Sequence, residues 1–134
     1  MLKADQKLGK EERLKSRKVI RELFENGQII HLHPFKVLFK LNTAEKLEFP
    51  AQIAVSVAKK NFKLAVTRNY IKRKIRESYR RSKHILYTDL EKFDQNVYFF
   101  VIYTAKKDMD YASINESMIL LLKKMSDKLK QLQS

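Results

Sequence analysis

The chain has 134 residues and 16.0 kDa, and its 29 Lys and Arg against 15 Asp and Glu give a formal net charge of +14. This length fits one domain, 1–134, with 44 % hydrophobic residues to supply a core, and so basic a balance points to a polyanionic partner. The chain has no cysteine, its longest apolar run (97–103) is far short of the roughly 20 residues that span a bilayer, and its polar start, MLKADQKLGKEERLK, lacks the apolar stretch of a signal peptide, so disulfides, thiolate metal sites, membrane insertion and export are all set aside in favour of a cytoplasmic protein.

Residues 1–15 are polar, basic and without periodicity, the pattern of a mobile basic tail or a segment lying along the surface. Ser16 is a candidate N-cap, Ile20, Leu23 and Phe24 follow at helical spacing, and Asn26-Gly27 supplies a stop, which predicts a short helix over 17–26. Phe35, Val37, Phe39 and Leu41 then alternate with Lys36, Leu38 and Lys40, the period-2 signal of a strand covered on one face. A polar connection, 42–50, leads to a second alternation: Ile53, Val55 and Val57 against Gln52, Ala54, Ser56 and Ala58. The small residues of that second set, flanked by Lys36 and Lys40 and ending at Lys59 and Lys60, suggest a shallow basic trough in which a flexible single strand of nucleic acid fits.

Between 59 and 84 the chain holds eleven Lys or Arg and one acid, Glu77, so this stretch alone carries a net +10 of the total. Its periodicity is helical from 64 to 84. Leu64, Ile71, Ile75, Tyr79 and Ser82 fall on one stripe, facing a core, while Asn69, Lys72, Arg73, Arg76 and Arg80 form a ridge on roughly the opposite side. Solvated helix faces normally mix signs, with acids at helical spacing from the bases. This ridge does not, and its cations recur at single turns of about 5.4 Å, comparable to backbone phosphate spacings.

The stretch 85–96 reads as an irregular connection, and 97–105 (VYFFVIYTA) as a central strand covered on both faces. Its aromatics are read as core, because the Gly-bearing signature of an RNA-recognition motif is missing. Tyr111, Ile114, Met118, Leu121, Leu122, Met125, Leu129 and Leu132 mark a long amphipathic helix capped by Asp110 or by Ser113 with Glu116. The expected fold is an α+β two-layer sandwich of order α-β-β-α-β-α, with helices packed on a small mixed sheet.

No constellation of catalytic groups emerges. His31 and His33 have no carboxylate or third ligand near them in sequence, the acids show no Mg²⁺-holding pattern, and two glycines cannot build a phosphate loop. Binding and positioning are therefore expected rather than bond cleavage. A helix-turn-helix DNA reader is disfavoured, since a strand precedes the basic helix.

The run Ala58-Lys59-Lys60, then Ala65 and Val66, then Arg68-Asn69-Tyr70-Ile71-Lys72-Arg73 and Arg76-Glu77 resembles the central motif of the protein subunit of bacterial ribonuclease P. In that family a strand ends in Lys-Lys and a helix carries Arg-Asn-Arg-x-Lys-Arg-x-x-Arg. Arg13-Leu14-Lys15 and Phe24 match as well, so the likeness runs from about Arg13 to Arg81. Tyr70 departs from it, standing where the family has its second Arg. The resemblance implies a left-handed β-α-β crossover. It also implies a division of labour in which a catalytic RNA with bound Mg²⁺ removes the 5′ leader of precursor tRNA while the protein docks on that RNA and holds the leader in a cleft. Carried over residue by residue, Arg68, Asn69, Lys72, Arg73, Arg76 and Arg80 would contact RNA, Lys59 and Lys60 would lie beside the catalytic RNA, and Ile20, Phe24, Lys36, Leu38 and Ser56 would line the leader cleft. The implied partners are the ribonuclease P catalytic RNA and precursor tRNA, with neither DNA nor membrane. No cofactor is expected on the protein itself, Mg²⁺ is expected in the holoenzyme, and the free protein is expected to be monomeric. The alternative reading is a ribosomal-type binder of structured RNA with no processing role.

Overall fold

A computed structural model describes residues 8–42 and 49–133. Residues 1–7, most of the expected polar connection (43–48) and residue 134 lie outside the described residues. The first helix, α1, spans Arg17–Asn26, and Ser16 caps it by accepting the Val19 amide at 3.2 Å. Gly27 closes it. Its φ of −68° is open to any residue, but a Cβ there would lie 2.5 Å from the Leu23 carbonyl oxygen, so close approach rather than backbone freedom excludes a side chain.

Four strands follow in chain order, β1 (Gln28–Leu32), β2 (Phe35–Asn42), β3 (Ala51–Val57) and β4 (Asn96–Tyr103), and they form one mixed sheet of order β1-β2-β4-β3. The β1–β2 and β2–β4 pairs are antiparallel, and β3 runs parallel to β4. The basic helix, α2, is Ala65–Ser82; α3 is His84–Lys92 and α4 is Tyr111–Gln133. Asp110 caps α4, accepting the Ser113 amide at 2.9 Å.

Two of these elements depart from the sequence expectation. β1 extends the sheet ahead of the two expected strands, and α3 occupies most of the stretch expected to be irregular. The order becomes α-β-β-β-α-α-β-α, still an α+β fold built of helices on a small mixed sheet.

One face of the sheet carries Phe35, Val37 and Phe39 of β2, Ile53 and Val57 of β3, and Val97, Phe99, Val101 and Tyr103 of β4. Against it pack Ile71, Ile75 and Tyr79 of α2, Leu86 and Leu90 of α3, and Ile114, Met118, Leu121, Leu122 and Met125 of α4. The opposite face is covered in part by α1, where Leu14, Leu23 and Leu38 form a second core flanked by Val19, Ile20, Ala54, Tyr98 and Phe100. The expected two layers thus gain a partial third. Alternate residues of β4 are fully buried and the intervening ones half-buried, because α1 covers only part of that face. Leu64, expected on the core stripe of α2, is 66 % exposed, since it is the extended residue before the first turn and lies off the helical wheel.

Residues 8–15, the described part of the segment expected as a basic tail, are tied to the fold. A 3-10 turn at Lys10–Glu12 brings Glu12 to 1 % exposure, Arg13 bridges to Ile53, and the Leu14 amide donates to the Ile53 carbonyl at 2.8 Å. The cause is a buried counter-charge on a distant part of the chain. Lys83, between α2 and α3 and 4 % exposed, places its Nζ 3.0 and 2.8 Å from the two Glu12 carboxylate oxygens.

Candidate nucleic-acid interface

Burial of Ile71, Ile75, Ser78, Tyr79 and Ser82 fixes the rotation of α2 about its axis. The 3.6-residue period then dictates that Asn69, Arg73, Arg76 and Arg80 emerge away from the sheet. These four, with Glu77, line an open groove of about 660 Å³ whose far wall is Leu8 and Arg13 of the N-terminal segment. Lys72 lies outside the groove lining, one helical turn from both Arg68 and Arg76.

Within the groove the charges are unevenly satisfied. Glu77 takes Arg80 bidentately, with Nε 2.9 Å from Oε1 and a terminal nitrogen 2.6 Å from Oε2, and it also accepts from Nε of Arg81 at 3.0 Å. Among the described residues no carboxylate is paired with Lys72, Arg73 or Arg76. Partial burial, and secondarily the like charge of Arg13, push the Arg76 guanidinium below its ordinary pKa. Two guanidiniums held near each other, with the acid of the groove, Glu77, engaged by Arg80 and Arg81, make a site that favours an anion, and the planar fork of Arg suits phosphate oxygens.

Arg68 has a different role from the others. One of its terminal nitrogens donates to the carbonyls of Phe62 (2.7 Å) and Lys63 (2.9 Å), tying the turn after β3 to the first turn of α2. That turn carries Lys59 and Lys60, both exposed, so Arg68 fixes where these two cations stand relative to the helix. On the other flank of α2, Lys74 is committed to Asp108 at 2.6 Å and to the Met109 carbonyl at 2.8 Å, and its ammonium lies 4.4 Å over the Tyr70 ring.

The expected cleft residues divide. Phe24, at the end of α1, is 57 % exposed and meets Phe100 of β4 edge-on, ring centroids 5.3 Å apart. The β-sheet register sets His31, Lys36, Ile102 and Ser56 in one row across the four strands, beyond the residues on which α1 packs. Lys36 and Ser56 are half-buried there, as is Ile20 at the margin of α1. Leu38 does not belong with them. It is 3 % exposed beneath α1 against Leu14 and Leu23, because its register position lies one row inward, so it supports the cleft from below and cannot floor it. Lys40, expected beside the trough, is paired with Glu22 at 3.3 Å.

Two contributors are absent from the residue-by-residue expectation. Arg13 enters the groove because its neighbours anchor it, and Leu14, an apolar residue in a polar stretch, was the available signal. The sequence alone places Phe100 in the core, and only the register reveals that it shares a face with Lys36 and Ser56. Among the described residues no group of three His, Asp or Glu side chains could hold a metal ion, His31 and His33 included, and no helix is long and apolar enough to cross a membrane.

Comparison with known proteins bears on the family and the fold. The family model "Ribonuclease P" matches residues 8–126. The ribonuclease P protein component of Porphyromonas gingivalis is 33 % identical over 113 residues, covering 83 % of this chain and 80 % of the relative. Among solved structures, the RNase P protein of Staphylococcus aureus superposes with a TM-score of 0.66 at 26 % identity, covering 84 % of this chain and 93 % of the other. That of Thermotoga maritima gives 0.66 at 26 % identity, with 84 % and 96 % covered.

Proposed function

The chain belongs to the ribonuclease P protein family, the protein component of an endoribonuclease that acts in tRNA processing, and from that premise we propose how its two surfaces divide the work. The groove on α2 docks on the catalytic RNA of the enzyme, and the open row of the sheet beside Phe24 holds the 5′ leader of precursor tRNA. One observation carries this reading: Lys72, Arg73 and Arg76 stand on one helix with no carboxylate partner among the described residues, beside Asn69 and Arg13. Cations left uncompensated by the protein's own acids are available to phosphate, and releasing the counterions condensed on RNA supplies the free energy.

Asn69, exposed at the groove, offers both a donor and an acceptor to a base edge. Lys59 and Lys60 extend the positive field past the end of β3, where a flexible strand leaving the sheet face would meet them. Phe24 and Phe100 present an aromatic edge to a base, and Lys36 stands one row away to meet a phosphate. In this reading the phosphodiester is cleaved by the RNA subunit with its Mg²⁺, in the cytoplasm where tRNA is matured. In this reading no chemical step is routed through the protein.

The test is reconstitution. The protein, mixed with its cognate ribonuclease P RNA at low Mg²⁺, is expected to raise the rate of leader removal from a precursor tRNA many-fold over the RNA alone. A preparation that binds the RNA but gives no stimulation would instead mark a ribosomal-type binder.

A further inference from the structure

Arg13, an exposed residue, is held between two anchors. On its N-terminal side the Glu12 carboxylate is saturated. Oε1 accepts the Gly9 amide at 3.1 Å and Lys83 Nζ at 3.0 Å, and Oε2 accepts Lys83 Nζ at 2.8 Å and the Tyr87 hydroxyl. The Tyr87 hydroxyl in turn accepts from Tyr79, fully buried in α2. On its C-terminal side the Leu14 amide bonds the Ile53 carbonyl, and the Leu14 side chain is buried in the second core. Gln52 adds a bond to the Glu11 carbonyl at 3.0 Å. The segment therefore passes along the outer edge of β3 from the helical layer to the layer of α1, and Arg13 is its exposed residue between the two anchors.

A buried ion pair costs desolvation, and a surface arginine does not need one to stay in solution. What this pair accomplishes is placement. It brings a cation from outside the basic helix to the wall opposite Asn69, Arg73 and Arg76. We propose that Arg13 is an RNA-phosphate ligand completing the α2 groove, and that Glu12, through its buried contacts with Lys83 and Tyr87, is the positioning residue that holds it there. The depressed pKa of Arg76, caused in part by Arg13, agrees with the two charges converging on one place. This inference rests on the docking role given to the groove above.

The experiment measures affinity of the full chain for its cognate ribonuclease P RNA over a range of salt concentrations. Arg13→Ala is expected to weaken binding several-fold and to flatten the slope of log affinity against log salt by about 0.7 to 0.9, the value of one phosphate contact. Arg13→Lys should restore most of the slope. Glu12→Gln should reproduce the Arg13→Ala effect and accelerate hydrogen exchange at the Leu14 amide, and adding Arg13→Ala to it should cost nothing further. Arg73→Ala serves as the reference for the docking role itself. A flattened slope for Arg73→Ala with an unchanged slope for Arg13→Ala overturns the inference and leaves the docking role standing. Unchanged slopes for both overturn the docking role as well. Additive losses in the double variant show that Glu12 does not act through Arg13. Should Glu12→Gln fail to fold, the paired Glu12→Gln/Lys83→Met variant, which leaves no buried charge alone, carries that arm, and the Arg13 substitutions, at an exposed position, decide the ligand claim without it.

Discussion

Glu77 decides how the guanidiniums of α2 are divided, because it occupies Arg80 and Arg81 and leaves Arg73 and Arg76 to the groove. The hydrogen bond from Arg80, and then the nearby charges of Arg80 and Arg81, hold its carboxyl below the usual range. A carboxylate with a depressed pKa keeps its charge until the pH falls through that lowered value, so Glu77 remains ionised throughout the window from pH 7 to pH 5. Replacing it should therefore add cations to the face proposed to meet RNA. Glu77→Gln is expected to tighten binding to the cognate RNA and to steepen the salt slope by about 0.7 to 0.9 for each arginine that then meets phosphate. Its advantage over the parent should persist down to pH 5 and shrink only below the ordinary carboxylate range, where the parent loses the same charge. Leu38 gives the opposite lesson, a cleft residue by resemblance that the register places in the core. Leu38→Ala should cost about 2–5 kcal/mol in urea unfolding, as for other buried leucines. Leu38→Met, which conserves volume, should cost less than about 1.5 kcal/mol.

Among the elements, the ones legible in the sequence were those with several buried residues at one period. α2 and α4 repeat apolar positions over many turns, β2 and β3 carry a period-2 apolar set, and β4 is a continuous run of β-branched and aromatic residues. β1 offers one fully buried residue, Ile30, in an edge strand with both neighbours exposed, which leaves almost no period-2 signal. α3 offers Leu86 and Leu90 alone. It also begins without a breaker, since Lys83 keeps helical backbone angles (φ −58°, ψ −24°) between α2 and α3. The missing information was tertiary: Lys83 sits at that junction because Glu12, 71 residues earlier, supplies its counter-charge. The basic ridge was legible for a different reason, because an unmixed run of cations at helical spacing is a local property. The division of its members into paired, tethering and unpaired groups depends on Glu77, on the Phe62 and Lys63 carbonyls and on Arg13, and so required the fold. If the junction depends on that ion pair, Lys83→Ala strands a buried carboxylate and should cost about 3–5 kcal/mol in chemical denaturation. The double change Glu12→Gln/Lys83→Met, which removes both charges, should cost distinctly less than the single one.

At the scale of the whole molecule, the sheet separates the two surfaces proposed to bind RNA. Its helical face supports α2, whose groove meets the N-terminal segment at the outer edge of β3. Its other face carries the row from His31 to Ser56 beside Phe24 and Phe100. A layer between two surfaces lets each be altered without moving the other, since exposed Phe24 stands against Phe100 on one face and exposed Arg73 lines the groove on the other. Loss of a base–aromatic contact costs about 1–3 kcal/mol, or roughly 5- to 150-fold in affinity. Phe24→Ala should therefore weaken binding of a leader-bearing precursor tRNA to the reconstituted enzyme by an amount in that range. It should leave the affinity for mature tRNA, and that of the protein for the catalytic RNA, within twofold of the parent. Arg73→Ala should do the reverse, weakening assembly with the catalytic RNA while the ratio of precursor to mature tRNA affinity, measured with fully assembled enzyme, stays constant. If both substitutions shifted both affinities together, the two surfaces would be one continuous RNA footprint, and the separation assigned to the sheet would be lost.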